Sequence, residues 1–151
     1  MKKTIVYLFL AAVAFSCSKD KFETKPTLKV VSQSTEILPV NSLFRVILEV
    51  TDKEGDVTDS IFVVRERLNI KNPQFRNPIP YKIPDHPTAT KAEIQLDLEY
   101  QNGLVFGINA INIPGSTPQQ FEPDTMNLKF WVKDAAGNRS DTVSTSVIVI
   151  R

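Results

Sequence analysis

From Thr27 onward the apolar residues recur at every second position, not every third or fourth. Phe44, Val46, Leu48 and Val50 alternate with Leu43, Arg45, Ile47 and Glu49. Ile94, Leu96, Leu98 and Tyr100 alternate with Glu93, Gln95, Asp97 and Glu99, the pattern of a strand with one buried and one wet face. Met126, Leu128, Phe130 and Val132 repeat it, and Val143, Val147 and Val149 close the chain with both faces turning apolar. Thr27–Leu38 and Ser60–Leu68 are rich in β-branched residues but less regular. No window of a dozen residues presents a helical face, and ten prolines oppose helices.

Turn chemistry divides this pattern into elements. Asn102-Gly103 between Tyr100 and Leu104 predicts a two-residue hairpin, because both residues accept positive φ. Asp52-Lys53-Glu54-Gly55-Asp56 and Asp134-Ala135-Ala136-Gly137-Asn138 each separate two strands. The predicted strands are 27–38, 43–51, 58–68, 91–100, 104–111, 126–133 and 142–150. This predicts an all-β domain over 27–151, a seven-stranded antiparallel sandwich of immunoglobulin-like type. Trp131 falls on the solvent side by strict alternation.

The N-terminus follows other rules. Lys2 and Lys3 precede an unbroken apolar run from Ile5 to Phe15, and Ala14 and Ser16 lead into Cys17, the only cysteine. Such a run covers about 16 Å of a roughly 30 Å hydrocarbon core, too short to span it as a helix. It reads as an export signal over 1–16. Ala14-Phe15-Ser16-Cys17 resembles the lipobox of bacterial lipoproteins, although Phe15 is bulkier than that motif usually carries. The resemblance implies that Cys17 is acylated and begins the mature chain, tethered by residues 17–26 to a membrane it does not cross. The competing reading is plain secretion with cleavage after Ala14, since Ala12-Val13-Ala14 is itself an A-x-A site.

With 1–16 removed, 135 residues remain, enough for one domain. The whole chain carries 18 Lys and Arg against 17 Asp and Glu; losing Lys2 and Lys3 leaves a net charge of −1. Neither a basic field for nucleic acid nor a strongly acidic one exists. A lone cysteine permits no internal disulfide, so stability rests on the apolar core.

The DKEGD segment after the second strand and KFWVKDAAGNRSDTVSTSVIVI at the end are similar to immunoglobulin-like domains of Bacteroidota cell-envelope lipoproteins. The likeness implies an outer-membrane lipoprotein. The short run of lysine and acidic residues after Cys17 resembles a signal for display at the cell surface. It implies nothing about activity, because such domains host unrelated roles.

Candidate chemistry is sparse. His86, the only histidine, lies between Pro84 and Pro87 in a loop, where a solvated side chain is the plain reading. One histidine and one lipidated cysteine cannot build a zinc site, and no Gly-rich phosphate loop exists. No catalytic residue is assigned, and a hydrolase using scattered carboxylates is the least favoured reading.

Calcium is the more specific possibility. Asp52, Glu54, Asp56 and Asp59 occupy one loop and Asp134, Asn138 and Asp141 another, and the topology brings these loops to one pole. Two converging loops of oxygen ligands suit Ca²⁺. The alternative is that these residues cap their own turns.

Residues 69–90 and 112–125 hold eight of the ten prolines, and the same topology sends both to the opposite pole. Phe75, Arg76, Tyr81 and Phe121 are the candidate ligand-binding residues there, being aromatic and arginine types that dominate interfaces. The alternative is that these aromatics fold inward and close the end of the sandwich. The expected function is a membrane-anchored, non-catalytic binding or adhesion module for a glycan or an envelope protein. A structural accessory of an outer-membrane complex is the runner-up.

Overall fold

A computed structural model describes residues 25–57, 59–70 and 77–151. The predicted signal and lipidation site Cys17, most of the predicted tether, Phe75 and Arg76 lie outside the described residues.

Period-two segments become strands. In chain order these are β1 (Thr27–Gln33), β2 (Ile37–Leu38), β3 (Leu43–Thr51), β4 (Ser60–Arg67), β5 (Ile79–Lys82), β6 (Lys91–Glu99), β7 (Asp124–Val132) and β8 (Val143–Val149). One sheet runs β1-β3-β6, and the other runs β2-β8-β7-β4-β5. All pairings are antiparallel except β2 with β8. Phe44↔Leu98 and Val46↔Leu96 pair across the first sheet. Their inner face meets Ile61, Val63, Leu128, Phe130, Val147 and Val149 of the second in one core cluster. Phe44 and Phe130 are wholly buried; truncating either to Ala costs about 3–5 kcal/mol.

Among the described residues there are eight strands where the sequence predicts seven, for three local reasons. The first predicted strand breaks, because its register with β3 shifts between Val30 and Ser32. Thr35 then caps the step, its Oγ1 accepting the Ile37 N–H at 3.1 Å, and β2 joins the other sheet. The predicted strand 104–111 does not form. Tyr100–Val105 instead makes a π-helical turn. Gly103 serves close packing there, since a Cβ would meet the Leu98 Cα at 3.1 Å, and its φ is not positive. Finally, β5 arises inside a predicted loop, as the edge strand of its sheet. Pro80 is tolerated at that edge.

Strand directions define two poles. Thr27 faces Thr51, Ser60 faces Lys82, and Thr51 faces Lys91 at the proximal pole, where residues 25–26 join the domain. Leu43, Arg67, Glu99, Asp124 and Val149 gather at the distal pole. Residues 79–90 of the 69–90 insertion do not stay distal as the sequence suggested. β5 carries it back along β4, so residues 83–90 pack at the proximal pole. There the Ile83 N–H donates to the Asp59 carbonyl at 3.0 Å, and His86 Nε2 lies 3.2 Å from the Val57 carbonyl.

Trp131 does sit on the outer face, yet it is only 8% exposed. Phe62 of β4 stacks on its ring at 3.8 Å, and the Arg139 guanidinium lies 4.2 Å from the ring centroid. Parity alone could not show that a neighbouring strand supplies the cover.

Candidate functional site

Asp52 leaves β3 with its N–H bonded to the Thr90 carbonyl at 3.0 Å. Its Oδ2 accepts the Asp56 N–H at 3.1 Å, which curls 52–56 into a turn. Gly55 is required on two counts. Its φ is +69°, and a Cβ would lie 2.9 Å from the Ala89 backbone. Asp134 leaves β7, and its carboxylate accepts both the Asn138 N–H and the Asn138 Nδ2, each at 2.7 Å. Gly137, at φ +87°, completes that turn.

These turns bring an oxygen of Asp52, Asp56 and Asp134 within 4.8 Å of one another. Asp52 is 3% exposed and Asp134 7%. Among the described residues, Asp52 Oδ1 has no hydrogen-bond partner, and no Lys or Arg forms an ion pair with Asp52 or Asp134. Burial pushes the Asp56 carboxyl above its ordinary range, reinforced by its hydrogen bond to Asp52 and by the charges of Asp52 and Asp134.

Of the seven predicted oxygen ligands, three converge. Asn138 positions Asp134 from behind. Glu54 and Asp59 are exposed, and Asp141 is exposed and pairs with Lys25 at 2.5 Å. That last contact is an exposed ion pair between the start of the domain and the 134–141 loop.

The predicted binding residues are not assembled in the described part of the chain. Tyr81 lies on β5 opposite Ile61, half-buried against the core, and burial raises its phenol pKa. Phe121 is 40% exposed on the distal loop, bridged to Asn112. These two are therefore separated, one edge-on to the core and one at the tip.

The distal pole is organised by residues the sequence reading passed over. Arg65 and Arg67 take inward positions on β4, in line with Ile61 and Val63. Arg65 Nη1 donates to the Leu104 carbonyl at 2.8 Å, and Arg67 Nη1 to the Asn109 carbonyl at 2.7 Å. Arg67 and Arg151 both pair with the fully buried Asp124. Arg151 Nη2 also donates to the Ile108 carbonyl at 2.6 Å. This lattice holds residues 104–110 in place and leaves Phe106 outward, 70% exposed. Phe106, Phe121, Tyr100 and Arg151 line an open cleft of about 410 Å³. The signal was present in the sequence, since IFVVRER puts two arginines at core parity.

No family model matches the chain, and no curated protein matches it. Among solved structures it is similar to a β-glucosidase from Listeria innocua, in complex with laminaribiose, with a TM-score of 0.44 and 12% identity. That match covers 84% of this chain but only 16% of the glucosidase. A superoxide reductase (neelaredoxin) from Ignicoccus hospitalis matches at TM-score 0.41 and 9% identity, over 84% of this chain and 82% of the reductase. Likeness at this level carries no argument about activity.

Proposed function

We propose that the chain is a Bacteroidota-type cell-envelope lipoprotein, held in the outer membrane through acylated Cys17, whose immunoglobulin-like sandwich is a non-catalytic binding module. Two sheets around one core, antiparallel except for β2 beside β8, with the first edge segment divided between them, support the immunoglobulin-like reading. The 1–16 signal and 17–26 tether belong to the same proposal.

The observation that carries the binding reading is the placement of exposed apolar residues. Leu68, Phe106, Ile113 and Phe121 are exposed at the distal pole, and Val40 and Leu43 add to it beside the start of β3. The tether joins at the other pole, so this apolar end points away from the membrane. Aliphatic groups among the aromatics favour an envelope protein over a glycan, because sugars stack on ring faces.

Three measurements test this. Intact cells treated with protease should lose the domain if it is displayed at the surface, and the mature chain should carry acyl mass at Cys17. Cross-linking from a photo-reactive residue at 106 should capture a defined envelope partner, and the same probe at Lys129 should not. A mature N-terminus at Phe15 with a free thiol would refute the anchor. Equal labelling from both positions would refute the distal binding end.

A further inference from the structure

The geometry points to a divalent cation site at the proximal pole, in which Asp52, Asp56 and Asp134 bind one Ca²⁺ and clamp the 52–56 turn to the 134–138 turn. Three carboxylates from two loops meet within 4.8 Å. Two oxygens on opposite sides of a Ca²⁺ lie about 5 Å apart, given Ca–O distances of roughly 2.3–2.6 Å, so the cluster needs little movement to bind. Acidic residues gathered on a surface would mean little by themselves. The independent observation is Asp52 Oδ1, an oxygen on a side chain that is 3% exposed, for which the described residues offer no hydrogen-bond donor when Asp56 is ionised.

Turn capping does not account for that oxygen. Asp52 already caps its turn through Oδ2, which accepts the Asp56 N–H, and a buried acceptor left over from a cap normally finds a donor. Asp134 is likewise held by Asn138 through both oxygens, which fixes its carboxylate in one orientation. A carboxylate accepts several partners per oxygen, so these bonds leave room for a cation. Oxygen-only ligands and a net charge of three negatives suit a hard cation. Mg²⁺ fits less well, because it takes ligands at about 2.0–2.1 Å in strict octahedral geometry and usually keeps most of its waters.

The site would act on the tether. The 134–141 loop that carries Asp134 also carries Asp141, which pairs with Lys25 at the start of the domain. Locking that loop to the 52–56 turn would steady the surface that Lys25 meets at the start of the domain. The proposal is independent of what the distal pole binds.

Calorimetric titration of the full chain with CaCl₂ tests it directly. One saturable event with a dissociation constant near or below ~10⁻³ M is expected, as in extracellular modules. At ten times that constant, mass action should raise Tm by about 5 °C, reversed by chelator. Asp52→Asn and Asp134→Asn, which keep the cap acceptors, should each weaken Ca²⁺ binding at least tenfold. Asp59→Asn, exposed and outside the cluster, should leave it unchanged. Absence of a saturable heat in the wild-type chain overturns the proposal whether or not the variants fold. An equal Tm shift from Mg²⁺ at the same ionic strength, or an unchanged shift in folded Asp52→Asn and Asp134→Asn, overturns it as well.

Discussion

The two poles bury carboxylates in opposite ways. At the distal pole Asp124 is fully buried, and Arg67 and Arg151 close on it from two sides. Charge of one sign meets charge of the other inside the chain, and the guanidinium groups left over go to backbone carbonyls. At the proximal pole Asp52 and Asp134 are almost as buried, but their near neighbour is a third carboxylate, Asp56. The distal carboxylate meets opposite charge from the chain itself, although burial still outweighs Arg151 and Arg67 and raises the Asp124 carboxyl above its ordinary range. The proximal cluster concentrates like charge, an arrangement that a folded chain holds at a cost unless something positive is supplied.

The largest expected effect breaks that difference. Asp124→Ala leaves two arginines buried without their counter-charge, which costs about 3–5 kcal/mol. Thermal and urea unfolding should show Tm lower by about 15 °C, with little change in the urea slope. The matching change at the other pole, Asp52→Asn in chelator, should leave stability equal or slightly higher, because it removes like-charge repulsion and keeps the cap. A comparable loss at both sites would mean that Asp52 is as fully compensated as Asp124, and the contrast between the poles would collapse.

A second test concerns how the proximal turns are held. Gly55→Ala forces a Cβ to within 2.9 Å of the Ala89 backbone at φ +69°. Backbone on one side and strain on the other leave no cheap relaxation, so about 2–3 kcal/mol should be lost. Gly137→Ala has the strain alone, with nothing within 4 Å of the new Cβ, and should lose about 1 kcal/mol. Equal losses would show that residues 83–90 yield freely to the 52–56 turn.

These contrasts also show what a linear sequence can carry. The strand pattern was legible because each strand's inner face is apolar and the period is fixed by the backbone: β3 runs 43–51 as its alternation required. The two acidic loops were legible as partners because antiparallel topology alone sends them to one end. Which of their oxygens converge was not, since Glu54 and Asp56 differ only in where the Gly55 turn aims them. The hairpin at Asn102-Gly103 failed for a reason invisible in the dipeptide: Gly103 is there to let Leu98 approach. Likewise, core parity placed Arg65 and Arg67 inward without naming a partner, and the Leu104 and Asn109 carbonyls with Asp124 supply it.

At the distal surface the expected stability effect is small and the functional one large. Phe106→Ser with Phe121→Ser should change unfolding free energy by about 0.5 kcal/mol or less per site, as exposed residues do. Partner capture by the distal pole should fall sharply in the same variant. A stability loss of core size would show that the two rings close the cleft instead of presenting it.

The smallest effect is a pH dependence, and its sign separates the proximal cluster from ordinary surface pairs. Arg45, hydrogen-bonded to Asp97, lowers the Asp97 carboxyl, and Lys129 with Asn127 lowers Glu66. A lowered carboxyl in the folded state stabilises above the unfolded pKa, and that contribution is lost as pH falls through the folded value, so both pairs stabilise at neutral pH and lose their effect below about pH 4. Asp56 is shifted the other way, upward, first by burial and then by Asp52 and Asp134. Between its unfolded and folded values the folded chain holds the extra proton, so stability declines as pH rises through that window, which begins near pH 4 and extends upward. In chelator, unfolding measured in steps from pH 4 to neutrality should therefore show a shallow fall that Asp56→Asn reduces, leaving the part due to Asp124, whose carboxyl burial also raises. Saturating Ca²⁺ should flatten or reverse the same fall in the wild-type chain, because the cation favours the ionised cluster. A wild-type profile that rises through that window in chelator would mean the proximal carboxylates are already balanced by charge within the chain.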